Sequence, residues 1–128
     1  MLESNESSVV DGYKLILRKL VLRDDRYIES LLAEERASAA VSGLDERSRT
    51  LVRLGALIAM NAATPSYMSA VDKALDVHLS YDEIVGTLIA ALPVVGAARV
   101  VSSAPNLALA LGYDVSEALE TVENGDYV

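Results

Sequence analysis

LSYDEIVGTLIAALPVVGAARVV, residues 79–101, decides the fold class. Ser80 and Glu83 stand three residues apart at its head, the spacing of a capping box in which each side chain satisfies the other's free amide. The helix opened there runs to about Val95, where Gly96 stops it, and a second helix covers about Ala97 to Leu111 before Gly112. So long an apolar run raises the question of a membrane. Pro93, Gly96, Arg99 and Pro105 interrupt it, and no unbroken apolar segment reaches the length of a span. Two helices remain that are apolar on nearly every side. In a small domain the expected cover for such faces is another copy of the chain.

Working back toward the N-terminus, TPSYMSAVDKALDVH (64–78) starts with Thr64 as a cap, Pro65 at the first helical position and Tyr67 one turn in. Its expected buried residues are Met68, Val71 and Leu75, with Asp72, Lys73 and Asp76 in water. Before it, Asp45 reads as the N-cap of a helix with Leu51, Leu54 and Ile58 inward and Arg47, Arg49 and Arg53 outward. Gly43 breaks the chain ahead of that helix. Asp24 and Asp25 start a helix expected to run to about Ala40, and Tyr13, Ile16, Leu17 and Leu20 form the stripe of another from about Val9 to Arg23. Residues 1–8, rich in Ser and Glu without periodicity, read as disordered. At the other end DVSEALETV gives a short tail helix capped by Asp114. The expectation is an all-α chain of six or seven helices, with residues 9–128 as one domain.

Composition agrees. The 128 residues are 52% apolar, yet Phe and Trp are absent, so the core must be built from Ala, Leu and Val. Small aliphatic side chains suit closely packed helices better than an aromatic-rich sheet. The absence of cysteine excludes disulfides, thiolate catalysis and cysteine-ligated metal. A net charge of −8 argues against nucleic acid: nine of eleven Lys and Arg precede residue 54, and beyond it only Lys73 and Arg99 oppose nine carboxylates. The polar, acidic start MLESNESSVV is no signal peptide, which leaves the cytoplasm as the expected location. No Gly-rich phosphate loop and no cofactor motif is found, and the seven glycines are scattered singly.

Few residues suggest chemistry. His78 is the only side chain that ordinarily titrates near neutrality, and Asp76, Asp82 or Glu83 could partner it in catalysis. Its place at a helix end favours a role facing the terminal carbonyls instead. The adjacent pairs Asp24–Asp25 and Asp82–Glu83 read as helix starts and not as a metal site, because helix neighbours point about 100° apart. Arg99, the one charge in a long apolar stretch, calls for a carboxylate, an interface or an anionic ligand. Tyr67 reads as a half-buried ring with a wet hydroxyl that could meet a ligand.

Taken together, LDERSRTLVRLGALIAM, the Ala-rich helix ending in AL, and LSYDEIVGTLIAALPVVGAARVV resemble the carboxymuconolactone decarboxylase family, which includes the alkylhydroperoxidase-D-like proteins. The resemblance covers about residues 44–112 and rests on the order and spacing of three blocks. It implies an all-α fold of that type and a homo-oligomer, trimer or hexamer. Redox members carry Cys-x-x-Cys-x-x-His at the start of the middle helix, where this chain reads Thr64, Tyr67 and Ala70. The glutamate of the first block corresponds to Thr50, a second glutamate to Gly86, and the tyrosine of a Pro-Tyr-x-Gly ending to Val94. His78 falls where the family usually has a turn glycine.

Without thiols the dithiol peroxidase mechanism cannot run. Without the aligned histidine and glutamates the usual decarboxylase proton transfers lack carriers. The resemblance therefore implies a divergent member with a pocket for a small apolar or lactone-like molecule, in which Thr50, Thr64, Tyr67, Ala70 and Arg99 are the lining candidates. Two alternatives stay open: a decarboxylase, isomerase or lactone-processing enzyme using Tyr67 or His78, and a purely structural oligomer. An antioxidant or peroxidase-like role would rest on the family label alone.

Overall fold

A computed structural model describes residues 2–116, 119, 120 and 125, with side chains from Gly12 onward. It is all-helical: among the described residues there are seven α-helices and no strand. The helices are α1 (Leu2–Val21), α2 (Asp25–Ala33), α3 (Glu35–Ser42), α4 (Glu46–Met60), α5 (Thr64–Asp76), α6 (Tyr81–Val95) and α7 (Ala97–Leu111). No described helix is long and apolar enough to cross a membrane. The chain divides into two compact units, 1–44 and 45–128, where the sequence suggested one domain from residue 9.

In the first unit α1 begins at Leu2, so helix runs through residues 2–8, which read as disordered. The single helix expected from Asp24 to about Ala40 is two, because Glu34 adopts an extended conformation (φ −138, ψ 133) between α2 and α3. Asp24 does cap α2, accepting a hydrogen bond from the Tyr27 amide at 3.1 Å. No side chain caps α3, and nothing in the structure explains the break at Glu34. From Gly12 to Leu44 no residue is buried.

The second unit holds the core. Helices α4, α5, α7 and α6 form a ring of neighbours, with α4 and α7 also touching across it. Leu54 and Ile58 of α4, Tyr67, Val71 and Ala74 of α5, Ile84 and Leu88 of α6, and Val100 and Leu107 of α7 meet in the middle, with Leu79 between elements. Each large aliphatic side chain buried this way stabilises the fold by about 1.5–3 kcal/mol. The expected inward face of α5 was partly misplaced: Val71 is buried, but Met68 is 54% and Leu75 39% exposed. The buried stripe is Tyr67, Val71, Ala74, and Met68 and Leu75 each lie about 100° around the helix from it.

Local chemistry sets the ends. Asp45 caps α4 through the Ser48 amide at 2.7 Å, and both halves of the Ser80–Glu83 capping box form on α6. Asn61 ends α4 in the left-handed region at φ 52, with the Ala62 amide reaching back to the Leu57 carbonyl. Gly96 and Gly112 stop α6 and α7 as expected. Thr64, by contrast, is not the cap of α5: Ala63 holds that position, and Thr64 is already helical. The tail helix is described only in part. Asp114 accepts from the Ser116 amide at 2.9 Å, while residues 117, 118 and 121–124 lie outside the described residues.

Candidate functional site

The polar residues of α7 converge on the end of α4. Arg99, Ser102, Ser103 and Asn106 are spaced at i, i+3, i+4 and i+7, which puts them on one face of an otherwise apolar helix. The Arg99 guanidinium donates to the Ala59 carbonyl, Ser103 Oγ to the Ile58 carbonyl at 3.4 Å, and Asn106 Nδ2 to the Ala62 carbonyl at 3.4 Å. Ser102 Oγ donates to Asn61 Oδ1 at 3.0 Å, and Thr64 Oγ1 to Asn106 Oδ1 at 3.0 Å. A helix leaves its last carbonyls without intrahelical partners, and its C-terminus carries partial negative charge. This seam supplies both the donors and the cation. Arg99 thus meets a helix terminus, a partner that its sequence context did not suggest. The signal for the seam was a polar helical stripe inside an apolar run, hidden by reading that run for its apolar content alone.

The other candidates are dispersed. Tyr67 is fully buried in the core, not half-wet, and its hydroxyl has no hydrogen-bond partner among the described residues. A buried donor left unpaired costs about 1–3 kcal/mol relative to an apolar replacement of the same shape. Thr50 is buried and satisfies itself by donating to the Glu46 carbonyl one turn back at 2.7 Å. Ala70 is half-buried against the core. Thr64 and Arg99 share the seam through Asn106 and the end of α4, so the structure brings those two to one surface and leaves Thr50 and His78 elsewhere.

His78 is exposed in the turn after α5, with φ +64. That is the left-handed region glycine favours, which agrees with its reading as a turn residue. Thr64 and His78 stand at opposite ends of α5, about 20 Å apart at 1.5 Å per residue. The Arg47 guanidinium ties this corner together: Nη1 donates to the His78 carbonyl at 3.3 Å, and Nη2 pairs with Glu83. Glu83 also accepts from the Ser80 amide, so both of its carboxylate oxygens are engaged. That amide, and then Arg47, hold the Glu83 carboxyl below its ordinary value. The Ser48 amide does the same for Asp45.

Among the described residues, clefts open on the 45–128 unit that none of the six candidates lines. One, about 520 Å³, lies between α6 and α7. Val85, Leu88, Ala104 and Leu107 make its apolar walls, and Tyr81 and Tyr113, each more than half exposed, stand at its rim. A shallower groove of about 510 Å³ runs between α4 and α6 over Leu51, Gly55, Gly86 and Ala90. A third, about 300 Å³, shares Ala104, Ala108 and Tyr113 with the first and lies against Val101 and Pro105. Among the described residues no three His, Asp or Glu side chains gather closely enough to hold a metal ion. The α6–α7 cleft is concave and apolar and carries two phenol groups able to orient a polar substituent, an arrangement that suits a small ligand.

No family model, curated protein or solved structure matches the chain significantly.

Proposed function

We propose that this protein binds a small, largely apolar molecule in the α6–α7 cleft, as a divergent, thiol-free relative of the carboxymuconolactone decarboxylase type. The observation that carries this reading is the cleft itself. Its volume of about 520 Å³ falls in the range of small-molecule sites, and its apolar walls end in the hydroxyl-bearing rim of Tyr81 and Tyr113. The chemistry that fits is an aromatic or alicyclic body with one hydrogen-bonding group, such as a lactone or an aromatic acid. The polar seam has a different job in this reading. Thr64 donates to Asn106 and Arg99 to the Ala59 carbonyl, so in this reading both serve the packing of α4, α5 and α7.

Self-association belongs to the same proposal. Ile89 (66%), Val94 (85%) and Val101 (69%) leave apolar surface on α6 and α7 open to water, and a trimer or hexamer would cover it. An enzymatic reading through Tyr67 or His78 has less support, since Tyr67 is sealed in the core and His78 lies at the far end of its helix.

The test is a titration of a naphthalene-type fluorophore, followed by competition with a panel of lactones and aromatic acids. Ala108, which also lines the cleft, provides the control. The expected result is saturable binding to the wild type and loss of it in Ala108→Trp, with the helical circular dichroism unchanged. Equal uptake by both chains, or none by the wild type, sinks the proposal. Turnover of the same panel that disappears in Tyr67→Phe or His78→Ala would favour the enzyme.

A further inference from the structure

The surroundings of the α6–α7 cleft are one-sided in charge. The polar side chains of its lining are the phenols of Tyr81 and Tyr113, each more than half exposed at the rim. None of the basic side chains of the 45–128 unit, Arg47, Arg49, Arg53, Lys73 and Arg99, lines it, and beyond Arg99 the sequence holds no base. Arg99 itself donates to the Ala59 carbonyl at the end of α4. A carboxylate seated in the cleft would give up hydration and meet no cation in return.

Acceptors and negative charge gather at the same rim. Helix α7 ends there, since Leu111, Gly112 and Tyr113 all line the cleft. Of its last carbonyls, Ala108 and Leu109 accept from the Tyr113 and Gly112 amides at 2.9 and 3.1 Å. No backbone amide among the described residues reaches those of Ala110 and Leu111. Such a terminus carries partial negative charge and draws cations. Asp82 and Asp114, both exposed, each follow one of the rim tyrosines in sequence. Neighbouring Cα atoms are about 3.8 Å apart, well inside the ~8 Å screening length of physiological salt. The N-terminus of α6 reaches this rim through Tyr81, but its positive end is already answered by the Ser80–Glu83 capping box and the first-turn carboxylates of Asp82 and Glu83. The faces of the two tyrosine rings attract cations in their own right.

We infer that the polar group of the cleft's ligand is a protonated amine, seated at the rim against the Tyr81 and Tyr113 phenols and the last carbonyls of α7. The apolar body of such a molecule fills the space between Val85, Leu88, Ala104 and Leu107, and its ammonium donates to oxygen atoms that have no other cation to serve. This rests on the cleft reading and narrows it. A cation is preferred, a neutral hydroxyl is tolerated, and an acid is refused.

The experiment compares three probes that share a naphthalene body and differ in one group: an aminomethyl, a hydroxymethyl or a carboxylate. Binding of each to the full chain is followed by fluorescence near neutral pH in physiological salt, where the first is a cation and the last an anion. The amine should bind about ten- to a hundredfold more tightly than the alcohol, and the carboxylate more weakly than either. Ala108→Trp should abolish binding of the amine, which separates the cleft from a general attraction of amines to an acidic surface. Tyr113→Leu, with its helical circular dichroism unchanged, should cut the amine's preference over the alcohol about two- to fivefold. An alcohol bound as tightly as the amine, a carboxylate bound as tightly as the alcohol, or a preference untouched by Tyr113→Leu overturns the inference and leaves the cleft reading standing. Amine uptake that survives Ala108→Trp overturns it as well. Binding of none of the three sinks both.

Discussion

The described residues from 45 to 128 bury ten hydrophobic side chains, and those from 12 to 44 bury none, although both stretches are helical. The difference is not one of local pattern. Tyr13, Ile16, Leu17 and Leu20 make as regular a stripe on α1 as Leu54 and Ile58 do on α4. What differs is opposition. In the second unit the stripes of α4, α5, α6 and α7 face one another, and water leaves the space between them. In the first unit the described residues of the α1 stripe are exposed or half-buried. A helix acquires most of its stability from what covers its apolar face, and propensity alone leaves a short one marginal.

That contrast can be broken by substitution. The largest effect is expected in the core, where Ile58→Ala should cost about 2–5 kcal/mol in urea or thermal unfolding. A loss under about 1 kcal/mol would mean that the second unit is loosely packed after all. Next comes the polar seam. Asn106→Ala removes the group that binds both the Ala62 carbonyl and Thr64, and it should cost about 1–3 kcal/mol. A neutral result would show that water replaces those bonds without penalty.

Tyr67→Phe should go the other way. It deletes an unpaired buried hydroxyl and keeps the ring, so stability should rise by up to about 1–3 kcal/mol. Destabilisation would reveal a partner for that hydroxyl. Smaller still is the pH response of the exposed caps. The folded carboxyls of Glu83 and Asp45 lie below their ordinary values of 4.5 and 3.8. Their contribution is therefore full above those values and is lost as pH falls through the lower folded ones. Acid titration of Glu83→Gln beside the wild type should show a shallower fall below about pH 4.5; identical curves would remove Glu83 from the account. The smallest change belongs to the first unit: Leu17→Ala, at an exposed position, should alter unfolding by less than about 0.5 kcal/mol.

Much of the fold was legible because helix ends are decided locally. Asp24, Asp45, Ser80 with Glu83, Gly96 and Gly112 each act on amides or dihedrals within a turn of themselves, and each does what its residue type implies. Legibility failed where a residue had a local option and a distant one. Thr64 could cap α5, yet its hydroxyl reaches Asn106, 42 residues on. Met68 and Leu75 were as apolar as Val71, and only the position of the neighbouring helices turned Tyr67 and Ala74 inward instead. The break at Glu34 has no signal in the sequence that physical reasoning recovers.

The sequence alone determined an all-helical chain without thiols, because period, caps and composition are properties of neighbouring residues. Only the tertiary structure decided that Arg99 and Asn106 hold the end of α4, that the Tyr67 hydroxyl is sealed from water, and that the cleft opens between α6 and α7. Those outcomes depend on which helix lies beside which. A side chain's partner 40 residues away is set by packing, and packing is a property of the whole unit and not of any stretch within it.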